Sequence, residues 1–198
     1  MNENVQARPG AVAAAIGHVA WGYVFLHLDI NLGTLDILPN WACYAFALSA
    51  LPGLAKVERS AKLLRPLGLI LLWVTVIIWA LKAIGTDLNS YLVTAIITVL
   101  ELYFHFQLLT NIADIAARFD TDKARSLKRL RNFRAVYMTL IALPWPFARL
   151  GSDVQTFIGL VFVVFAIVLI IWTLTQLFGL KKDPSLAQLD MPDQEAET

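Results

Sequence analysis

Apolar runs long enough to cross a bilayer, separated by clusters of lysine and arginine, constrain this chain more than any other feature. Such runs occupy about 11–28, 39–55, 66–84, 88–117, 135–149 and 154–180. An α-helix rising about 1.5 Å per residue needs roughly 20 apolar residues to cross about 30 Å of hydrocarbon. Hydrophobic residues make up 58% of the 198 positions and the mean hydropathy is +0.64, an excess that a soluble core cannot absorb. The expected fold is therefore all-α, an integral membrane bundle of six transmembrane helices.

The cations between the runs set the expected orientation. Arg8 precedes the first run; Lys56, Arg59, Lys62 and Arg65 separate the second from the third; Arg118, Lys123, Arg125, Lys128, Arg129, Arg131 and Arg134 separate the fourth from the fifth; Lys181 and Lys182 follow the sixth. Six crossings place these fourteen of the sixteen Lys and Arg on one side, leaving Lys82 and Arg149 on the other. Cytoplasmic loops carry such an excess, so both termini are expected in the cytoplasm. The first run continues through Trp21, Tyr23, Val24 and Phe25 into another apolar segment, which argues for a retained helix over a cleaved export signal. The fifth run is short and holds Pro144 and Pro146, which remove backbone donors. After Lys182 the chain turns acidic, and 183–198 is expected to be a disordered cytoplasmic tail.

Three two-helix hairpins, about 11–55, 66–117 and 135–180, share features that suggest tandem repetition. At an offset of 66, Arg59, Ser60, Lys62, Leu64 and Arg65 fall on Arg125, Ser126, Lys128, Leu130 and Arg131. Trp79 falls on Trp145, Gly85 on Gly151 and Asp87 on Asp153. Glycine ends helices and Ser, Thr and Asp cap them, so the turns alone have a simpler explanation. The matching basic stretch does not.

Polar residues inside an apolar run mark the candidate site. Thr94, Thr98, Glu101 and His105 recur at spacings of four, three and four, along one face of the fourth helix. Gln107, Asn111 and Asp114 form a second row nearer the cytoplasmic end. Glu101 lies about 20 Å from the outer end of that helix, and His18 on the first helix falls at a comparable depth, so the two are expected to meet. An ionisable pair away from water suits a proton relay or solute pathway; a neutral Glu101 tying helices together is the simpler reading. On the offset the sixth helix carries Ile167 and Ile171 in place of Glu101 and His105.

From Phe25 the first outer loop alternates apolar and polar residues, bringing His27, Asp29 and Asn31 to one side if extended. No second cluster supports a metal site, and a segment with its apolar side in the interface is favoured. The run Asp29-Ile30-Asn31-Leu32-Gly33-Thr34-Leu35-Asp36-Ile37-Leu38-Pro39, followed by Tyr44, resembles the signature of small uncharacterised bacterial multi-pass membrane proteins reading roughly I-N-L-G-x-x-D-I-L-P-x-x-x-G-Y. Cys43 stands where that signature has glycine. The resemblance implies a bacterial plasma membrane and no particular activity.

Lys123, Arg125, Lys128, Arg129 and Arg131 are candidate lipid-binding or partner-binding residues. Ala124, Leu127, Leu130 and Phe133 recur among them at helical spacing, compatible with a short helix lying on the membrane surface. A net charge of +1 gives no nucleic-acid footprint. The chain has no Gly-x-Ser-x-Gly, no His-Glu-x-x-His and no phosphate-binding glycine loop, so no cofactor is implied and a non-catalytic protein is favoured. Two readings remain: ion-coupled or proton-coupled transport of a small solute through the fourth helix, or a membrane scaffold. The expected partners are membrane lipids, a second copy of the chain or another membrane protein.

Overall fold

The computed structural model describes residues 10–27, 31–32, 35–36, 39–86, 90–143 and 151–189. Helices α1 (Ala11–His27), α2 (Trp41–Val57), α3 (Leu64–Ala83), α4 (Tyr91–Ala116), α5 (Thr121–Ala142) and α6 (Ser152–Lys181) carry nearly all of it. A 3-10 turn at Arg59–Leu63 leads into α3, and a one-turn helix α7 (Leu186–Leu189) follows α6. Between α1 and α2, β1 (Asn31–Leu32) and β2 (Leu35–Asp36) pair antiparallel. Asp29, Asp87, Pro144, Trp145, Pro146 and Arg149 lie outside the described residues.

Consecutive helices pack side by side, and α6 returns to α1, so the six close into a ring. Arg59–Ala83, Tyr91–Ala116 and Ser152–Lys181 are each long and apolar enough to cross a membrane; α1 and α2 are apolar but shorter. Helices α3, α4 and α6 expose Ile70, Trp73, Ile77, Ile96, Val99, Val164 and Ile171 to the surroundings. A belt of this kind marks a surface that meets lipid or another apolar partner.

The core gathers around α1, whose Val12, Ile16, Val19 and Tyr23 are buried, and around the C-terminal half of α4 and the N-terminal half of α5. Small residues bring α1 and α2 close. A Cβ on Gly53 would stand 2.8 Å from the Ala15 Cβ, and one on Gly22 would stand 3.0 Å from the Cys43 carbonyl oxygen. Buried Cys43 therefore still permits a close approach, because the glycine is on the facing helix.

The two basic stretches that match at an offset of 66 fold differently. Pro66 has no N–H to bond the Lys62 carbonyl, so regular helix begins only at Leu64. Its counterpart Asn132 imposes no such break, and α5 runs unbroken from Thr121 through the basic stretch. Asp120 starts that helix by accepting hydrogen bonds from the backbone of Asp122 and Lys123, both at 3.0 Å. The paired glycines also differ. Gly85, at φ +77°, ends α3 with its N–H on Lys82 and that of Thr86 on Leu81, a Schellman closure. Gly151 instead precedes α6 in an extended conformation at φ −61°.

The surface-helix expectation for the basic stretch needs correction. Ala124, Leu127 and Leu130 are buried against the bundle, and the inward stripe continues through Arg134 while Phe133 is half exposed. The acidic tail also begins in order. Lys123 bonds Asp183, Leu186 is buried, and α7 rests on α1. The hydrogen bond from Lys123 holds the Asp183 carboxyl below its usual range, and the same bond raises Lys123. Acidification therefore releases this tie only below the ordinary carboxylate range. Residues 190–198 lie outside the described residues.

Candidate functional site: a polar cluster inside the helix ring

Four helices bring polar side chains together inside the ring. Tyr23 and His27 are four residues apart on α1, as are Glu101 and His105 on α4, so each pair shares one helix face. Tyr44 enters from α2 and Arg134 from α5. Tyr23, Tyr44, His105 and Arg134 are buried, and Glu101 is partly buried.

The Tyr44 hydroxyl donates to Glu101 Oε1 at 2.9 Å. One helical turn further along α4, His105 Nδ1 lies 3.1 Å from the Tyr23 hydroxyl. The rings form a continuous aromatic layer: His105 stands 5.9 Å from Tyr44, 5.3 Å from Tyr23 and 5.5 Å from Phe104, centroid to centroid. Arg134 then caps this layer, with its guanidinium 4.8 Å from the centre of the Tyr23 ring. Its Nη1 lies 3.1 Å from His27 Nε2. A guanidinium has no acceptor, so Nε2 must accept and His27 is the neutral tautomer with its proton on Nδ1.

Arg134 has no carboxylate within ion-pair distance among the described residues, and its buried Nε finds no hydrogen-bond partner. It borders a crevice of about 10 Å³ shared with His105, Arg131, Leu109 and Met138. That is close to the space one water molecule occupies. A buried cation without a counter-ion is costly to keep, and a chain that keeps one is using its charge or its shape.

The structure places the sequence candidates unequally. Glu101 and His105 are in the cluster. Thr94 and Thr98 return their hydroxyls to their own helix, on Ser90 at 3.1 Å and Thr94 at 2.9 Å. His18 does not meet Glu101: it is exposed, and its Nδ1 lies 3.2 Å from the Ser49 hydroxyl. Glu101 is level with Tyr44 and His18 with Ser49, five residues further along α2, so at about 1.5 Å per residue the two differ in depth by more than a helical turn as well as in direction. His27 is the last residue of α1 rather than part of an extended segment, because the helix continues through Phe25 and Leu26.

The second polar row of α4 has a tying role toward the C-terminal end of that helix. Gln107 donates to the Asn111 side-chain oxygen at 2.9 Å, and the Ser60 hydroxyl bonds the same oxygen at 2.9 Å. Asp114 pairs with Lys128 at 2.9 Å. Of the proposed lipid-binding cations, Lys123 is paired with Asp120 and Asp183, Arg125 with Asp122, and Arg131 bonds Thr110 while lying over Phe106. Arg129 is exposed. Much of that stretch's charge is thus answered within the protein.

Tyr23, Tyr44 and Arg134 were not singled out by sequence reasoning. Arg134 had a readable signal: it follows Ala124, Leu127 and Leu130 at spacings of three, three and four, the stripe that faces the core. Counted with its neighbouring cations, it looks like an orientation anchor. No protein family, curated protein or solved structure matches the chain.

Proposed function

We propose that this is a six-span bacterial plasma-membrane protein with both termini cytoplasmic, carrying out proton-coupled transport of a small solute. The supporting observation is the buried cluster in which Glu101, bonded to Tyr44, lies one helical turn from His105 and shares an aromatic layer with the unpaired cation Arg134. Ionisable side chains facing a bundle interior commonly mark substrate, ion or proton pathways. Glu101 takes up and releases a proton, Tyr44 accompanying it as donor to the carboxylate; His105 offers the neighbouring proton-accepting nitrogen. Arg134 supplies a fixed positive charge that favours an anionic solute.

Short α1 and α2 still fit the six-span reading, because 17 residues stand at the lower end of what spans hydrocarbon. The offset of 66 and the likeness of the first outer loop to small bacterial membrane proteins support hairpin repetition and the setting. The alignment does not extend to the cluster: Ile167 and Ile171, opposite Glu101 and His105, are exposed at 49% and 61%. On this reading Glu101 and His105 come from one hairpin of the three, and their partners Tyr23, Tyr44 and Arg134 from the other two.

The test is proton flux into proteoliposomes driven by an imposed potential and read with an entrapped pH dye. Glu101→Gln keeps an oxygen to accept from Tyr44, so the variant is expected to fold and to lose flux to the level of empty vesicles. Equal flux from the folded variant and the native protein would remove the transport reading and leave a scaffold, which is indifferent to Glu101.

A further inference from the structure

A groove of about 650 Å³ lies at the basic end of α2 and α3, away from the polar cluster. Leu48, Leu51 and Leu69 form apolar walls, and Lys56, Lys62 and Arg65 line it as well. The two chemistries are ordered along the helices. The leucines lie within the apolar spans, whereas the cations stand where α2 ends and α3 begins. All three cations are exposed, and none makes an ion pair with another described residue. The carboxylate nearest in sequence, Glu58, is engaged by Arg118 at 3.5 Å and by the Ser60 backbone N–H at 3.3 Å.

We infer that this groove binds an anionic phospholipid, its phosphate among Lys56, Lys62 and Arg65 and one acyl chain along Leu48, Leu51 and Leu69. Charge and depth carry the assignment together. A basic pocket between membrane helices on the cytoplasmic side suits a lipid phosphate, and each cation near the surface strengthens such binding. A free phosphate would use the cations alone and leave the apolar walls uncovered. A zwitterionic lipid offers no net charge to match three cations. The volume falls in the range of pockets that enclose small organic ligands, about 300–1,000 Å³. The site is separate from the transport reading and stands or falls without it.

The probe is phosphatidylglycerol, compared with phosphatidylcholine of the same chains and with inorganic phosphate, on the full-length protein in detergent, with bound lipid counted by native mass spectrometry. The native protein is expected to retain phosphatidylglycerol preferentially. The combined change Lys56→Gln, Lys62→Gln and Arg65→Gln should lower that retention about tenfold or more. Leu51→Ala keeps the charge and should weaken retention while leaving any binding of inorganic phosphate unchanged. Lys82→Gln, an exposed cation at the far end of α3 and outside the groove, should change nothing. Because the three cations are exposed, the variant is expected to fold, and its melting profile without lipid checks this. Undiminished phosphatidylglycerol retention by the folded triple variant would overturn the proposal. So would equal retention of both lipids, or displacement of the lipid by inorganic phosphate.

Discussion

Arg134→Met is expected to leave the protein folded, with a melting temperature equal to or above that of the native chain, and to abolish proton flux. The thermodynamic half follows from what the guanidinium does in the bundle. It gains one hydrogen bond to His27 and the face of Tyr23, but its buried Nε has no partner. An unsatisfied buried donor costs about 1–3 kcal/mol, comparable with what a charged hydrogen bond returns. Replacing buried charges with apolar residues of similar volume is often neutral or stabilising by about 1–4 kcal/mol. Methionine is long, flexible and able to pack its sulfur against Tyr23. Thermal unfolding in detergent and flux in vesicles, measured on one preparation, separate the two roles. If the variant fails to fold while Glu101→Gln folds and loses flux, Arg134 is a structural tie and leaves the proposed pathway.

Gly53→Leu is expected to cause a large loss of stability. Its first side-chain atom would stand 2.8 Å from the Ala15 Cβ and 3.2 Å from the Ala11 carbonyl oxygen, both on the facing helix. Backbone and a side-chain carbon fixed to it cannot turn aside, so α1 and α2 must separate. Overpacking of this kind costs about 1–3 kcal/mol, and leucine at such a contact should reach the upper end. For a chain of this size that is a fall of roughly 6–12 °C in melting temperature. Gly179→Leu is the control: a Cβ there meets nothing within 4 Å, and the melting temperature should hold or rise. The loss should extend to flux, since separating α1 from α2 pulls Tyr23 and Tyr44 apart around His105.

The order of elements was readable because long apolar runs and the cations between them answer to one simple physics, the length of a helix and the cost of charge in hydrocarbon. Glu101 and His105 were readable for the same reason. The partners were not. Which face α1 turns towards α4 depends on small residues such as Gly22 and Gly53, whose effect appears only when the opposite helix is known. That rotation sends Tyr23 inward and His18 outward, and so replaces a histidine with a tyrosine in the site. Arg134 was hidden by its company, since sequence position groups it with anchors while helical phase groups it with Leu127 and Leu130. Pro66 explains why two nearly matching basic stretches fold differently, a local rule available in the sequence but masked by the likeness around it.

The proposed placement of this cluster inside hydrocarbon depends on helices that alternate in direction across a bilayer. Single cysteines at Lys62, Arg129 and Ile84 test that placement most directly, in a Cys43→Ala background and with a membrane-impermeant maleimide applied to intact and permeabilised cells. All three positions are exposed on the protein, and Ile84 is at the far end of α3 from Lys62. The expected result is labelling of Ile84→Cys in intact cells, and of Lys62→Cys and Arg129→Cys only after permeabilisation. Lys62→Cys and Arg129→Cys reacting from opposite faces would contradict the account, because α3 and α5 would then start from different sides and the ring could not hold Glu101, His105 and Arg134 at one depth.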